Sequence, residues 1–351
     1  MPVYKNEERN TWYASFYYTD WTGQRKRKKK EGFALKRDAQ EYEREYIKKH
    51  SGSCEMSFRS MCELYLDDAK NHLKPTSYRV KKNIIDNLIL PQLGEMPINE
   101  ITPNTLRQFN NRLLKSDKEY STLYLSKVNG QISCVFTFAV RYYNLSSNPC
   151  KIYSSPSGTK KADIQFWTLQ EFKKFIQEVE GIDYKTAFEV LFWTGMRNGE
   201  MLALNVGDID FKNNRITINK NFAKLDNEEL ILTPKTKKSK RVVDIPPFLT
   251  EHIREYTSHI YDCSNDTRLF SMSRPSLRLH LNEAAERAGV KKIRLHDLRH
   301  SHASLLIELG FQPLIVADRL GHENVKTTLE TYAHLYPHKQ STVCEKLEEL
   351  Q

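Results

Sequence analysis

The spacing of apolar residues changes character three times along this chain. Thr11–Thr19 (TWYASFYYT) packs aromatic residues densely, Asp20-Trp21-Thr22-Gly23 supplies a turn, and residues 25–30 continue as a basic second strand. After Phe33, apolar positions Ala39, Tyr42, Tyr46 and Ile47 fall at i, i+3, i+7 and i+8, which predicts a helix from about Lys36 with one packing face. From about 55 to 150 the period is helical. Phe58, Met61, Cys62, Tyr65 and Ala69 form one stripe, residues 77–90 a second helix, and further helices begin near Pro103 and span about 121–143. Pro91 to Pro97, with Gly94 between them, reads as a break. Residues 154–161 (SSPSGTKK) are small, polar and basic, as a linker should be.

Beyond the linker, Thr168-Leu169-Gln170-Glu171 has the form of a capping box, with the Thr168 hydroxyl at the N-cap and Glu171 reaching back. A helix over 184–193 leads into Thr194-Gly195. Candidate strands follow at 215–219, 229–233 and 240–245, then more helices, the last over 339–350 and rich in Glu and Leu. The pattern predicts a multidomain, mainly α protein. A small N-terminal sheet with one helix fills 1–52, a helical bundle 55–152, and a mixed α+β domain 163–351.

Composition narrows the class. At 351 residues, 39% hydrophobic and 28% charged, the chain can bury a core in each of two or three domains. No apolar run approaches the roughly 20 residues of a membrane span, and the N-terminus does not resemble a signal peptide. Six scattered cysteines (Cys54, Cys62, Cys134, Cys150, Cys263, Cys344) without a C-x-x-C pair fit a reduced cytoplasm. The net charge of +10 is unevenly placed. Residues 1–50 carry 13 Lys/Arg against 8 Asp/Glu, and Lys235 to Arg241 hold five basic residues in seven. Clustered basicity points to a polyanion partner. Arg25, Lys26, Arg27 and Lys28, on a strand able to enter a major groove, are the candidate DNA-binding residues of the first domain.

Candidate chemistry lies in the last domain. Arg197, in Thr194-Gly195-Met196-Arg197-Asn198-Gly199-Glu200, stands at a helix start, where free N–H groups and the dipole favour an anion. His296, Arg299 and His300 share one turn in His296-Asp297-Leu298-Arg299-His300. The His296/His300 spacing also resembles a zinc-protease helix, but Asp297 is shorter than the Glu of that motif and Arg299 would oppose a cation. A capping or packing role suits His300. His322 follows Gly321, which ends a helix and turns the imidazole outward. Tyr332 lies on a short helix, whereas its competitor Tyr336 adjoins Pro337. Of Lys235, Lys237 and Lys238, Lys235 is favoured as a proton donor. Two guanidiniums, two imidazoles and a phenol are the groups needed to break a phosphodiester without metal or nucleotide cofactor.

In this order within one domain, these boxes make the chain resemble a tyrosine recombinase, an integrase of the phage or conjugative-transposon type. TGMRNGE is similar to that family's first-arginine box, HDLRH to its His-x-x-Arg box, LGH to its third box, the Tyr332 segment to its nucleophile box, and PKTKKSKR to its hairpin lysine. The resemblance implies a three-stranded arm-site DNA-binding domain at 1–52 and a core-binding bundle that clamps duplex DNA with the catalytic domain. It also implies a homotetramer on two sites whose terminal helix docks on a neighbour, with accessory DNA-bending or excision factors. Tyr332 would attack the phosphate to give a 3′-phosphotyrosine, His296 would accept its proton, Arg197, Arg299 and His322 would hold the phosphate, and Lys235 would protonate the 5′-oxygen. A topoisomerase using the same chemistry on one duplex, and a non-catalytic DNA-binding regulator, are the competing classes.

Overall fold

The computed structural model describes residues 3–7, 10–19, 25–50, 56–153, 164–226, 228–234 and 237–335. The expected turn at 20–23, the linker at 154–161, the helix at 339–350, Cys54, Cys344, Lys235, Tyr336 and the side chain of Ile47 lie outside the described residues. The chain divides into two units, Met1–Lys161 and Ala162–Gln351.

The first unit opens with β1 (Val3–Asn6), β2 (Thr11–Thr19) and β3 (Arg25–Phe33), an antiparallel sheet in that order, followed by α1 (Lys36–His50). The residue pattern alone shows two strands. β1 (VYKN) is only four residues long, too short to carry a period of its own. Register decides which residues share a face: Ala14 pairs Lys30, Ser15 pairs Lys29, Phe16 pairs Lys28, Tyr17 pairs Arg27 and Tyr18 pairs Lys26. Ala14 and Phe16 are buried with Ala39 of α1, and Trp12, Phe33, Tyr42 and Tyr46 pack around them. A bulge between the Trp12 and Ala14 pairings falls where Gly32 adopts φ +93°.

The sheet therefore divides the candidate DNA-binding residues. Lys28 sits over the Tyr46 ring at 5.3 Å, on the face that α1 covers, and alternation puts Lys26 on that face too. Arg25 and Arg27 lie on the opposite face over Tyr17, at 4.6 and 5.9 Å. Arg27 also donates twice to Ser15 Oγ, at 3.2 and 3.1 Å.

The rest of this unit is helical: α2 (Phe58–His72), α3 (Pro75–Ile84), α4 (Leu90–Leu93), α5 (Pro103–Leu114) and α6 (Thr122–Tyr142). Phe58, Met61 and Cys62 of the expected stripe are fully buried, against Ile132, Val135 and Phe136 among others. The expected break at Pro91 is a correction. The helix runs through Pro91 to Leu93, because Ile85–Ile89 widens into a π turn in which the Leu90 N–H reaches the Ile85 carbonyl. The wider turn accommodates a ring that has no N–H and would clash with the carbonyl four residues back. The break itself comes after Leu93.

One polar pair is sealed inside this bundle. Asn110 of α5 and Asn129 of α6 exchange amide hydrogen bonds at 2.9 and 2.7 Å, and each also donates to the carbonyl four residues earlier. Truncating one partner strands the other amide, at a cost of about 1–3 kcal/mol. Asn110→Ala is expected to lower the urea midpoint of unfolding accordingly. The Asn110→Ala/Asn129→Ala double variant should lose less than the sum of the two singles, and strict additivity would show that the pair is not coupled.

The second unit contains α7 (Leu169–Gln177), α8 (Ile182–Thr194), α9 (Asn198–Met201), β4 (Ile209–Asp210), β5 (Arg215–Ile218), β6 (Asn221–Leu225), β7 (Glu228–Leu232), β8 (Arg241–Asp244), α10 (Pro247–Ser258), α11 (Arg274–Arg287), α12 (Asp297–Glu308), α13 (Pro313–Leu320) and α14 (Val325–Tyr332). The capping box at α7 forms as expected, with Thr168 N–H donating to Glu171 at 2.8 Å and Glu171 N–H to Thr168 Oγ1 at 3.2 Å. α8 is buried nearly all round, its Phe188, Val190, Leu191 and Phe192 sharing one core with Phe172, Phe175, Leu249, Leu277 and Leu298. β8 pairs with β5 rather than β7, and β7 pairs with β6, giving a three-stranded sheet β4-β5-β8 and a separate β6-β7 hairpin. Among the described residues no helix is long and apolar enough to cross a membrane.

Candidate active site

The candidate residues stand at helix ends, two of them just after left-handed glycine caps. α8 ends at Gly195 with φ +64°, a left-handed cap that delivers Met196 and Arg197 to the start of α9. A Cβ on Gly195 would lie 2.5 Å from His302 Cδ2 and 2.8 Å from Leu320 Cδ2, so glycine is needed here for space as well as for angle. His296 immediately precedes α12 without a side-chain capping bond, Arg299 lies in its first turn, Gly321 (φ +69°) ends α13 before His322, and Tyr332 is the last residue of α14.

Arg299 is the deepest cation, only 3% exposed. Its Nη1 donates to the Gly195 carbonyl at 2.8 Å, while Nη2 is buried with no hydrogen-bond partner among the described residues. Burial first, and the Arg197 and Arg241 guanidiniums after it, push this group down to about 9 against the pull of Glu200. A buried donor without a protein acceptor, crowded by like charges, is suited to receive an anion.

Arg197 is held from the other side. Its Nη1 donates to Glu200 Oε1 at 2.7 Å, and its backbone N–H to Glu200 Oε2 at 3.0 Å. The free N–H expected at this position is therefore taken. Arg241 Nη2 reaches Glu200 Oε2 at 3.0 Å. Burial alone would raise the Glu200 carboxyl, but the guanidiniums of Arg241 and Arg197 outweigh it and hold the group below the usual carboxylate range. Arg241, the last residue of the basic run expected to meet a polyanion, has its side chain buried, with Nε donating to the Arg319 carbonyl at 2.9 Å. Arg319 in turn donates to the carbonyls of Asp244 and Trp193, both at 3.1 Å, and to His302 Nε2 at 3.0 Å. Since a guanidinium only donates, His302 must be neutral, and burial followed by Arg319 pushes it down to about 3.

The imidazoles and the phenol complete the cluster. Tyr332 is 1% exposed, and its hydroxyl lies 2.6 Å from His300 Nδ1. Burial pushes the phenol up to about 12, while Arg299 pulls it back. The His296 ring is 5.2 Å from that of His300, edge to face. His296 is pushed down to about 4 by burial, then by His300, Arg299 and Arg197. His322 is pushed to about 4 by burial and by Arg299 and Arg197, and its Nδ1 lies 2.7 Å from Thr328 Oγ1 on the helix that carries Tyr332. Arg197, His296, Arg299, His322 and Tyr332 thus share one electrostatic neighbourhood. The Asp297 carboxylate is engaged by Arg294, accepting from its backbone N–H at 2.8 Å and from Nη2 at 2.9 Å, while its charge is felt by His296, His300 and Tyr332. Lys235 lies outside the described residues, beyond the end of β7.

Residues 165–339 match the Phage integrase family, 57–114 the Phage integrase N-terminal SAM-like domain, and 2–50 an Arm DNA-binding domain. The chain is 33% identical to the ICEBs1 integrase of Bacillus subtilis over 310 residues, 84% of this chain and 83% of the relative. The chain belongs to the phage integrase family. This integrase, a tyrosine-type site-specific recombinase, is also 27% identical to the integrase of Staphylococcus phage L54a, across 81% of its own length and 86% of the relative. The Tn1549 transposon integrase in complex with transposon right end DNA shares the fold at TM-score 0.68 and 17% identity, over 84% of this chain and 99% of that one. A lambda integrase dimer bound to a COC′ core site does so at 0.60 and 15%, over 94% and 93%. His300, Glu200, Arg241, His302 and Arg319 were not anticipated as parts of the site. Glu200, His300 and Arg241 stand inside the boxes quoted above, whereas His302 and Arg319 do not.

The Glu200 carboxylate ties two guanidiniums in a buried place, so its loss is expected to be costly. Glu200→Gln should lower stability at neutral pH by about 3 kcal/mol, the usual order for breaking a buried ion pair. A depressed carboxyl contributes stability above its unfolded value of 4.5, and loses it as pH falls through the lower folded value. Wild type should therefore converge on the variant as pH drops below about 4.5 in urea titrations. A constant gap from pH 7 to pH 3 would show that Glu200 is not ionised in the folded protein.

Proposed function

We propose that this integrase breaks and rejoins duplex DNA through a 3′-phosphotyrosine on Tyr332, in the cytoplasm, in the service of a mobile element. The observation that carries this reading is the buried Arg299 guanidinium, with an unpartnered Nη2, in the electrostatic field of the Tyr332 phenol. A phosphodiester docked there would give Nη2 its missing acceptor and relieve the repulsion between Arg299 and Arg197.

In the forward step the Tyr332 oxygen bonds to phosphorus as the bond to the 5′-oxygen breaks. The phosphate passes from one negative charge towards two at the phosphorane, and Arg197 and Arg299 match that growth with paired donors. His296 and His322, kept neutral by burial and the neighbouring guanidiniums, add hydrogen bonds. Thr328 fixes the His322 ring for this purpose. Lys235 protonates the departing 5′-oxygen. The covalent link conserves the bond energy, so a 5′-hydroxyl from a second duplex reverses the step and completes the exchange. Two cut sites and four strands call for a tetramer, with accessory DNA-bending or excision factors setting direction. On the N-terminal sheet, Arg25 and Arg27 read arm-type DNA from the open face with Lys29, and Lys28 serves on the covered face by packing against Tyr46 of α1.

Tyr332→Phe is expected to abolish covalent protein–DNA adducts on a nicked duplex that carries the attachment site. Arg299→Lys should slow adduct formation by about 10²–10³-fold while duplex binding persists. An adduct surviving in Tyr332→Phe would place the nucleophile elsewhere. Relaxation of any plasmid with no joining of two sites would make the enzyme a topoisomerase. In gel-shift titrations with arm-type DNA, Arg27→Ala should weaken binding on the order of tenfold, and Lys28→Ala much less. The reverse ranking would mean that the sheet reads DNA from its other side.

A further inference from the structure

The proton of the nucleophile needs somewhere to go, and the geometry points to His300. We propose that His300 Nδ1 is the base that takes the Tyr332 proton during cleavage and returns it during rejoining. This rests on the reading of Tyr332 as the nucleophile.

The hydroxyl of Tyr332 and His300 Nδ1 are 2.6 Å apart, with ring centroids at 5.6 Å and planes inclined by 62°. That is a direct hydrogen bond to the reacting atom, within the reach a general base requires. His296 holds no such bond to the phenol: it stands beyond His300, ring to ring at 5.2 Å, under the influence of Arg197 and Arg299. The two histidines therefore divide the work, His296 on the phosphate side and His300 on the phenol side. Their positions four apart at the start of α12 make this division possible, because both then project to one side of the helix.

His300 is also in the protonation state a base needs. Burial lowers it below the ordinary imidazole value, Arg294 and Arg299 lower it further, and Asp297 opposes them. A neutral ring with an open lone pair at Nδ1 accepts from the phenol, whereas an imidazolium could only donate. Burial disfavours the phenolate, so the hydroxyl keeps its proton until the bond to phosphorus develops. Proton transfer then coincides with attack.

The step balances. The Tyr332 O–H bond breaks and its proton moves to His300 Nδ1, the new bond joins Tyr332 oxygen to phosphorus, the bond from phosphorus to the 5′-oxygen breaks, and that oxygen takes a proton from the acid proposed at Lys235. In the reverse step the incoming 5′-hydroxyl returns a proton to that acid, and the leaving tyrosine oxygen regains its own from His300.

The test is single-turnover adduct formation on the nicked duplex, with full-length His300→Asn, whose amide can hold the hydroxyl but cannot take its proton. The expected rate loss is about 10²-fold or more, with DNA affinity and melting temperature unchanged. Replacing Tyr332 by a fluorinated tyrosine, a more acidic phenol, should then restore much of the rate in His300→Asn and none in Arg299→Lys. A His300→Asn rate within about threefold of wild type overturns the proposal, as does a large loss that the acidic phenol fails to restore. Should His300→Asn not fold, the fluorinated phenol in the wild-type protein decides alone: proton transfer to His300 requires its rate to lose the imidazole limb of the pH profile, and an unaltered limb overturns the assignment. Failure of the nucleophile reading is distinguishable, since it shows as adducts in Tyr332→Phe.

Discussion

Everything in the catalytic unit depends on gathering guanidiniums that repel one another. Arg197 and Arg241 crowd Arg299 and lower it, after burial has done most of the work. Glu200 is the counterweight: one buried carboxylate accepts from Arg197 on one oxygen and from Arg241 on the other. It neutralises part of the cluster without touching Arg299 Nη2, which stays available. The site is thus preorganised, with donors fixed before charge develops and little left to rearrange at the moment of reaction.

That arrangement is held by the backbone. Arg299 Nη1 is anchored to the carbonyl of Gly195, so the two arginine boxes are tied through a main-chain atom rather than through each other. Gly195 itself sits against His302 and Leu320, and Arg319 joins the end of α8, β8 and α12 through the Trp193 and Asp244 carbonyls and the His302 ring. A neutral buried histidine paired with a half-buried arginine gives a joint that itself adds no negative charge. An acid in place of His302 would hold Arg319 as well, but it would compete with the anion that the site must bind.

Much of this was legible in the residues, for reasons that can be named. The Thr168/Glu171 box, the glycines at 195 and 321 and the long apolar helices are local signals, each readable within a few residues. The boxes around Arg197, Arg299, His322 and Tyr332 were readable because their residue types and order are unusual together. What escaped depended on distance. Whether Arg241 faces solvent or Glu200 is decided by the pairing of β8 with β5, forty residues apart in the chain from its carboxylate partner, and nothing in the PKTKKSKR run encodes it. The π turn before Pro91 escaped because the proline signal speaks of a broken helix, not of the local widening that rescues one. In the N-terminal strand, the run of six basic residues looks uniform, and only the pairing register shows that alternate side chains serve opposite faces.

His300 illustrates the same limit in the chemistry. Two histidines four apart beside an arginine are visible as a cluster, but which of them meets the phenol depends on where α14 lays Tyr332 against α12. The packing of Tyr332 among Ala303, Leu306, Ile307, Val316 and Leu320 settles that. The apolar seat has a second effect, since it raises the phenol and withdraws it from solvent. A nucleophile that forms covalent links to DNA is hazardous if active away from its site. In the proposed role of Tyr332, burial keeps the oxygen protonated until a phosphate held by the guanidiniums supplies the electrophile. The features that stabilise the helix and those that restrain the chemistry are the same side-chain contacts.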